Sequence, residues 1–148
     1  MKPQYISTKL ITAALLMCLT VLLPSAVAAP SAIPAGIYAT TITMDDIPAD
    51  LPPEAADILV GTWWTEFTAE GTTVIRKNGD LVAYGTYTSS KSHLVIRDKG
   101  GPLACTDAHG IATGVYTWSL DNELTLSPVL DRCFGRMFVL TLRPLQQL

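Results

Sequence analysis

A chain of 148 residues, 49% hydrophobic and with a formal net charge of −3, has room for one core. Thirteen acidic residues outnumber ten basic ones and the arginines are scattered, so neither nucleic acid nor an anionic membrane surface is an expected partner, because both reward clustered Lys and Arg. No Gly-x-Ser-x-Gly, phosphate-binding loop or dinucleotide fingerprint occurs, and no cofactor or catalytic residue is indicated.

The N-terminus carries Lys2 and Lys9, then the uncharged apolar run 10–23, then Pro24-Ser25-Ala26-Val27-Ala28. A basic start, a short apolar stretch and a small-x-small site describe a secretory signal peptide over residues 1–28, cut after Ala28. The run is shorter than the ~20 residues that span a bilayer, so no stable membrane insertion is expected once it is removed. Cys18 invites a lipoprotein reading, but Met17 stands where a small residue is required. Without Lys2 and Lys9, eight basic residues face thirteen acidic ones, a net charge of −5 for residues 29–148. Those residues keep two cysteines, Cys105 and Cys133. In a secreted or otherwise extracytoplasmic domain they most simply form one disulfide, stabilising by roughly 3 to 4 kcal/mol in the chain-entropy model.

In chain order, residues 36–42 alternate as a first strand. Between 45 and 59 the character changes, and Pro52-Pro53 followed by Glu54 and Asp57 suits a short helix near 53–59, with proline and acid at its start. Residues 61–67 form a second strand with Trp63, Thr65 and Phe67 on one face; Trp63 and Phe67 are core choices. Strands 72–77 and 81–89 follow, joined at Asn78-Gly79, a strong hairpin signal. Gly85 inside the latter marks a bend or bulge. Strand 92–98 sets Leu94 and Ile96 against His93, Val95 and Arg97. Strands 113–118 and 123–127 make a hairpin about Asp121-Asn122, with Tyr116 and Trp118 sharing a face. An eighth strand is expected over 136–143, where Phe138, Leu140 and Leu142 alternate with Met137, Val139 and Thr141.

Eight evenly spaced strands with hairpin connections predict an all-β fold, a single up-and-down antiparallel barrel over residues 29–148. Such a barrel removes open sheet edges and either fills itself with side chains or holds one small ligand. A two-sheet sandwich is the alternative. The aromatic residues Trp63, Phe67, Tyr87, Tyr116, Trp118 and Phe138 are the candidate lining of an interior site for a small hydrophobic ligand, or else the filling of a small core. His93 sits on a solvated face. His109, near Asp107 and Cys105, lacks the partners that a metal would need, so no metal is expected. The charged segment 131–136 reads as a disulfide-pinned loop whose arginines pair with local carboxylates.

At Gly61-Thr62-Trp63, preceded by Asp57-Ile58-Leu59-Val60 and followed by strand upon strand, the chain resembles the lipocalin and fatty-acid-binding (calycin) superfamily, whose barrels open with a Gly-x-Trp strand. The likeness runs over residues 36–143 and extends to small exported bacterial lipocalin-like proteins of unassigned function. It implies an arginine, Arg136 or Arg143, over Trp63, and a small apolar or amphipathic ligand inside the barrel. The strand at 36–42 departs from the family by preceding the Gly-x-Trp strand. Two other readings stand beside carriage: a surface-acting binding protein such as a secreted protease inhibitor, and a lipocalin-like cyclase or isomerase acting by folding its substrate.

Overall fold

The computed structural model describes residues 32–106 and 112–148; the expected leader over 1–28, together with Asp107 and His109, lies outside them. The fold is mostly β, a single antiparallel eight-strand sheet curled into a half-barrel with two short helices. The strands are β1 (Gly36–Ile42), β2 (Gly61–Phe67), β3 (Thr72–Lys77), β4 (Asp80–Ser89), β5 (His93–Gly100), β6 (Thr113–Leu120), β7 (Leu124–Leu130) and β8 (Gln146–Gln147). Consecutive strands from β1 to β7 are neighbours, and β8 returns to pair with β1. The two ends of the sheet touch at one antiparallel bridge, where Leu124 and Leu145 exchange both backbone hydrogen bonds, at 2.8 and 2.9 Å.

Local chemistry accounts for most of these elements. Alternation along β2 buries Trp63, Thr65 and Phe67 and leaves their neighbours half-exposed. The β3–β4 turn has Asn78 at φ 51° and Gly79 at φ 98°, two successive positive φ values of the kind that match a tight hairpin to strand twist. The β4–β5 register shifts between Tyr84 and Gly85, and a Cβ at Gly85 would collide with the Arg97 carbonyl. The bend expected there is therefore a position where only glycine fits. Helix α1 (Pro53–Leu59) starts on proline with Glu54 in its first turn and buries Ala56 and Leu59.

One expected element is corrected. Residues 136–143 are not a strand: helix α2 (Phe134–Thr141) occupies this stretch and buries Arg136, Val139 and Leu140. These lie at i, i+3 and i+4, one stripe of a helix. A run as short and uniformly apolar as Met137 to Leu140 satisfies a period of 2 or of 3.6 equally well, and the side of the half-barrel that needed covering decided between them. The eighth strand is the two-residue β8 instead.

The interior is divided. One apolar cluster contains Tyr38, Phe67, Leu94, Ile96, Tyr116, Trp118, Leu124 and Leu140; the other contains Ile42, Leu59, Trp63, Ile75, Val82, Ala83 and Val139. Buried threonines separate them. Thr40 lies between Tyr38 and Ile42 on β1, Thr65 between Phe67 and Trp63 on β2, and Thr73 precedes Ile75 by one inward step on β3. All three are buried, and the hydroxyls of Thr65 and Thr73 have no hydrogen-bond partner among the described residues.

Candidate functional site

The second cluster is incompletely filled. A cavity of about 140 Å³ opens between α1, the strands and α2, lined by Ile58, Leu59, Trp63, Ile75, Val82, Ala83, Leu103, Gly135 and Val139, with Asp98, Arg136 and the two cysteines as its polar part. Small side chains border this space: Ala83 and Gly135 are both in its lining, and a Cβ built on Gly135 meets nothing within 4 Å.

Trp63 is fixed in the wall by its indole N–H, which donates to the Leu59 carbonyl at 2.7 Å. The Lys77 ammonium lies over its ring at 5.6 Å and also donates to the carbonyls of Asp57 and Ile58 at the C-terminal end of α1. A cation at that helix end meets the negative pole of the helix and, over an indole face, adds about 0.5 to 2 kcal/mol. The cation over Trp63 is thus Lys77; Arg136 and Arg143 are engaged elsewhere.

Arg136 organises the polar side. Its Nε and Nη2 donate to the two oxygens of Asp131, both at 2.8 Å. Nη1 reaches Asp98 Oδ2 at 3.0 Å and the Ala112 carbonyl at 2.8 Å. The side chains of Arg136, Asp98 and Asp131 are almost wholly inaccessible. Burial works against the charge on Arg136, but the hydrogen bonds it donates to Asp131 and the charges of Asp98 and Asp131 outweigh it and raise the pKa above the ordinary arginine value. The Tyr116 hydroxyl donates to Asp131; burial, then that carboxylate, pushes its pKa well up. Asp98 Oδ2 also accepts from the Cys105 N–H at 2.9 Å, and Asp131 Oδ1 from the Cys133 N–H at 2.7 Å. Cys105 and Cys133 stand at disulfide distance, with Cα atoms 5.9 Å apart, a pairing that an oxidising, extracytoplasmic environment permits. Of the two arginines of segment 131–136, Arg136 does pair with a local carboxylate, Asp131, and also with the distant Asp98; the segment is not wholly the expected loop, because α2 begins at Phe134.

The six aromatic candidates do not form one lining. Phe67, Tyr87, Tyr116 and Trp118 belong to the first cluster, where Phe67 meets Tyr38 and Tyr87 edge-on at centroid distances of 5.8 and 4.8 Å. The Tyr87 hydroxyl donates to the Thr68 carbonyl and the Trp118 indole to the Ser90 carbonyl, each at 2.8 Å. Trp63 and Phe138 belong to the second, with Phe138 packed against Phe134 at a centroid distance of 4.2 Å and a tilt of 38°; of the six, only Trp63 lines the cavity. Asp98 was missed although its signal was present, since alternation places it on the inward face with Leu94 and Ile96. A second, polar cleft of about 330 Å³ lies near the seam of the sheet, lined by Thr40, Thr41, Glu123, Arg143 and Gln146. There Arg143 pairs with Asp46 at 3.4 Å and Gln146 donates to Glu123 at 3.0 Å.

Compared with protein-family models, with curated proteins and with solved structures, the chain matches none. Among the described residues no helix is long and apolar enough to cross a membrane.

Proposed function

We propose that this chain is an extracytoplasmic, non-enzymatic binding protein that acts at its surface, taking one apolar group of a partner protein, an aromatic ring or a branched aliphatic side chain, into the cavity between α1 and α2. The observation that carries this reading is the size of that cavity. At about 140 Å³ it is below the ~300 Å³ at which pockets for drug-sized ligands begin and close to the ~150 Å³ of an apolar cavity that takes a benzene ring. Ile58 and Leu103, both in its lining, are 48% and 43% exposed, and Phe134 beside Gly135 is 48% exposed, so apolar surface continues outward from the cavity and offers a partner more than a single ring. Carriage of a larger ligand in the centre of the half-barrel has less support, because Tyr38, Phe67, Leu94, Ile96 and Tyr116 are packed there at 0% exposure. Catalysis has less still: Asp98 and Asp131 are both held by Arg136, and all three side chains are almost wholly inaccessible. The lipocalin-like character belongs to the same proposal. Gly61-x-Trp63 at the start of β2, the meander, and the Leu124–Leu145 bridge as the point of barrel closure support it, and export through the segment 1–28 completes it.

Titration with indole and, separately, with a sixteen-carbon fatty acid tests the reading by NMR. Indole is expected to shift the Trp63 indole resonance saturably, in the millimolar to micromolar range; the fatty acid is not. Gly135→Leu, which grows into open space, is expected to abolish the indole response while leaving the fold intact. Absence of a saturable shift, or a response indifferent to Gly135→Leu, would overturn the proposal.

A further inference from the structure

Spacing along the chain gave no metal site, yet the fold sets a carboxylate beside the disulfide sulfurs. Asp98 from the end of β5, Cys105 from the segment after it and Cys133 from the position preceding α2 bring one carboxylate oxygen and two sulfurs within 4.8 Å of one another, and all three residues line the cavity described above. We propose that the reduced form of this protein binds one thiophilic divalent cation, zinc by preference, through the thiolates of Cys105 and Cys133 and the carboxylate of Asp98, with the open cavity leaving the fourth position to water. Two thiolates, one carboxylate and one exchangeable ligand form a chemically coherent zinc set.

The geometry allows it without rebuilding the backbone. Two sulfurs on one tetrahedral ion sit roughly 3.8 Å apart, given Zn–S bonds of about 2.3 Å, and Cα atoms 5.9 Å apart reach that spacing by side-chain rotation. The cation next door is already answered. Arg136 is held on both oxygens of Asp131, so its charge keeps a counter-ion when Asp98 turns to the metal. On Asp98 the bonds from Arg136 and the Cys105 N–H both fall on Oδ2. They would orient the ligating carboxylate from outside, as partners of metal ligands commonly do.

Entry into this form requires two electrons and two protons. Two equivalents of a small-molecule thiol reduce the Cys105–Cys133 bond to two thiols and are themselves joined as a disulfide. Binding the cation then releases the two thiol protons. The proposal does not depend on the partner recognition above, because it concerns the sulfurs and Asp98 and needs no apolar occupant.

The test uses the whole protein reduced under anaerobic conditions with a phosphine, which does not itself supply a thiolate ligand, and titrated with Cd²⁺ as a spectroscopic stand-in for zinc. The expected result is a thiolate-to-metal charge-transfer band saturating at one ion per chain, with about two protons released and the near-UV dichroism of the buried Tyr and Trp residues retained. Cys105→Ser and Cys133→Ser should each remove the band. Asp98→Asn should weaken binding at least tenfold, no less than loss of a supporting partner does elsewhere. Should that variant fail to fold, the infrared carboxylate stretches of the unaltered reduced protein should shift on Cd²⁺ binding, and an unchanged carboxylate spectrum beside a saturating thiolate band would remove Asp98 from the site. No band in the folded reduced protein, an ion held only by an unfolded chain, or an affinity untouched by Asp98→Asn in a folded variant would overturn the site.

Discussion

The two apolar clusters are built on the same strands and differ in what they accomplish. Around Tyr38, Phe67, Leu94 and Tyr116 large rings and branched chains fill the interior to 0% exposure, and the hydroxyl of each tyrosine finds an acceptor, the Pro34 carbonyl for Tyr38 and the Asp131 carboxylate for Tyr116. Around Trp63 the strands contribute Ile75, Val82 and Ala83, α2 contributes Gly135, and a cavity remains. Aromatic content by itself therefore does not mark a binding site: the cluster with more rings is the packed one. The site arises where small residues and a buried charge cluster meet.

That contrast can be broken most forcefully at Arg136. Arg136→Ala leaves Asp98 and Asp131 buried without their cation, and a loss of about 3 to 5 kcal/mol is expected, read from urea denaturation midpoints; Arg136→Met, which keeps the volume, suffers the same charge penalty but a smaller packing loss. Next comes the difference between the clusters themselves. Leu94→Ala, at 0% exposure, should cost about 2 to 5 kcal/mol, whereas Val82→Ala, at the edge of an existing cavity, should cost about 1 kcal/mol. Equal losses per deleted carbon, three at Leu94 and two at Val82, would show that the two regions are packed alike. Between the clusters, Thr73→Val replaces an unpartnered buried hydroxyl by a methyl of nearly the same shape and should stabilise by about 1 kcal/mol. Destabilisation would instead mean that the hydroxyl has a partner, such as an internal water.

The smallest effect lies far from both clusters. The Thr43 N–H, then the Thr43 hydroxyl, with the Arg143 charge adding to them, hold the Asp46 pKa below its ordinary 3.8. Because the folded value is the lower one, its contribution is complete above about pH 4 and fades as pH falls through the folded pKa. A carbon-detected NMR titration should place the Asp46 midpoint below 3.8, and Thr43→Ala should move it back up.

Much of the half-barrel was legible in the residues. Strand limits, the Asn78-Gly79 turn, the Gly85 bend and the helix at 53–59 depend on φ preferences and on which neighbours alternate, and both are local properties. The segment from Phe134 to Thr141 was not legible, because Phe138 and Leu140 fit a strand face while Arg136, Val139 and Leu140 fit a helix stripe. The candidate site was legible only in part: Trp63 was singled out, but Lys77 acquires meaning only through Trp63 and the end of α1, and Asp98 and Gly135 only through the cavity that elements distant in the chain enclose.

By itself the sequence determined the β meander from β1 to β7, the inward set Trp63, Thr65 and Phe67, and two cysteines suited to pairing, since period-2 burial and turn stereochemistry act over a few residues. Only the tertiary structure decided that residues 134–141 form a helix, that Lys77 and not an arginine lies over Trp63, and that Asp98, Arg136, Asp131, Cys105 and Cys133 converge beside one small cavity. Those outcomes depend on which surface was left to cover and which charges were left to neutralise once the sheet had curled.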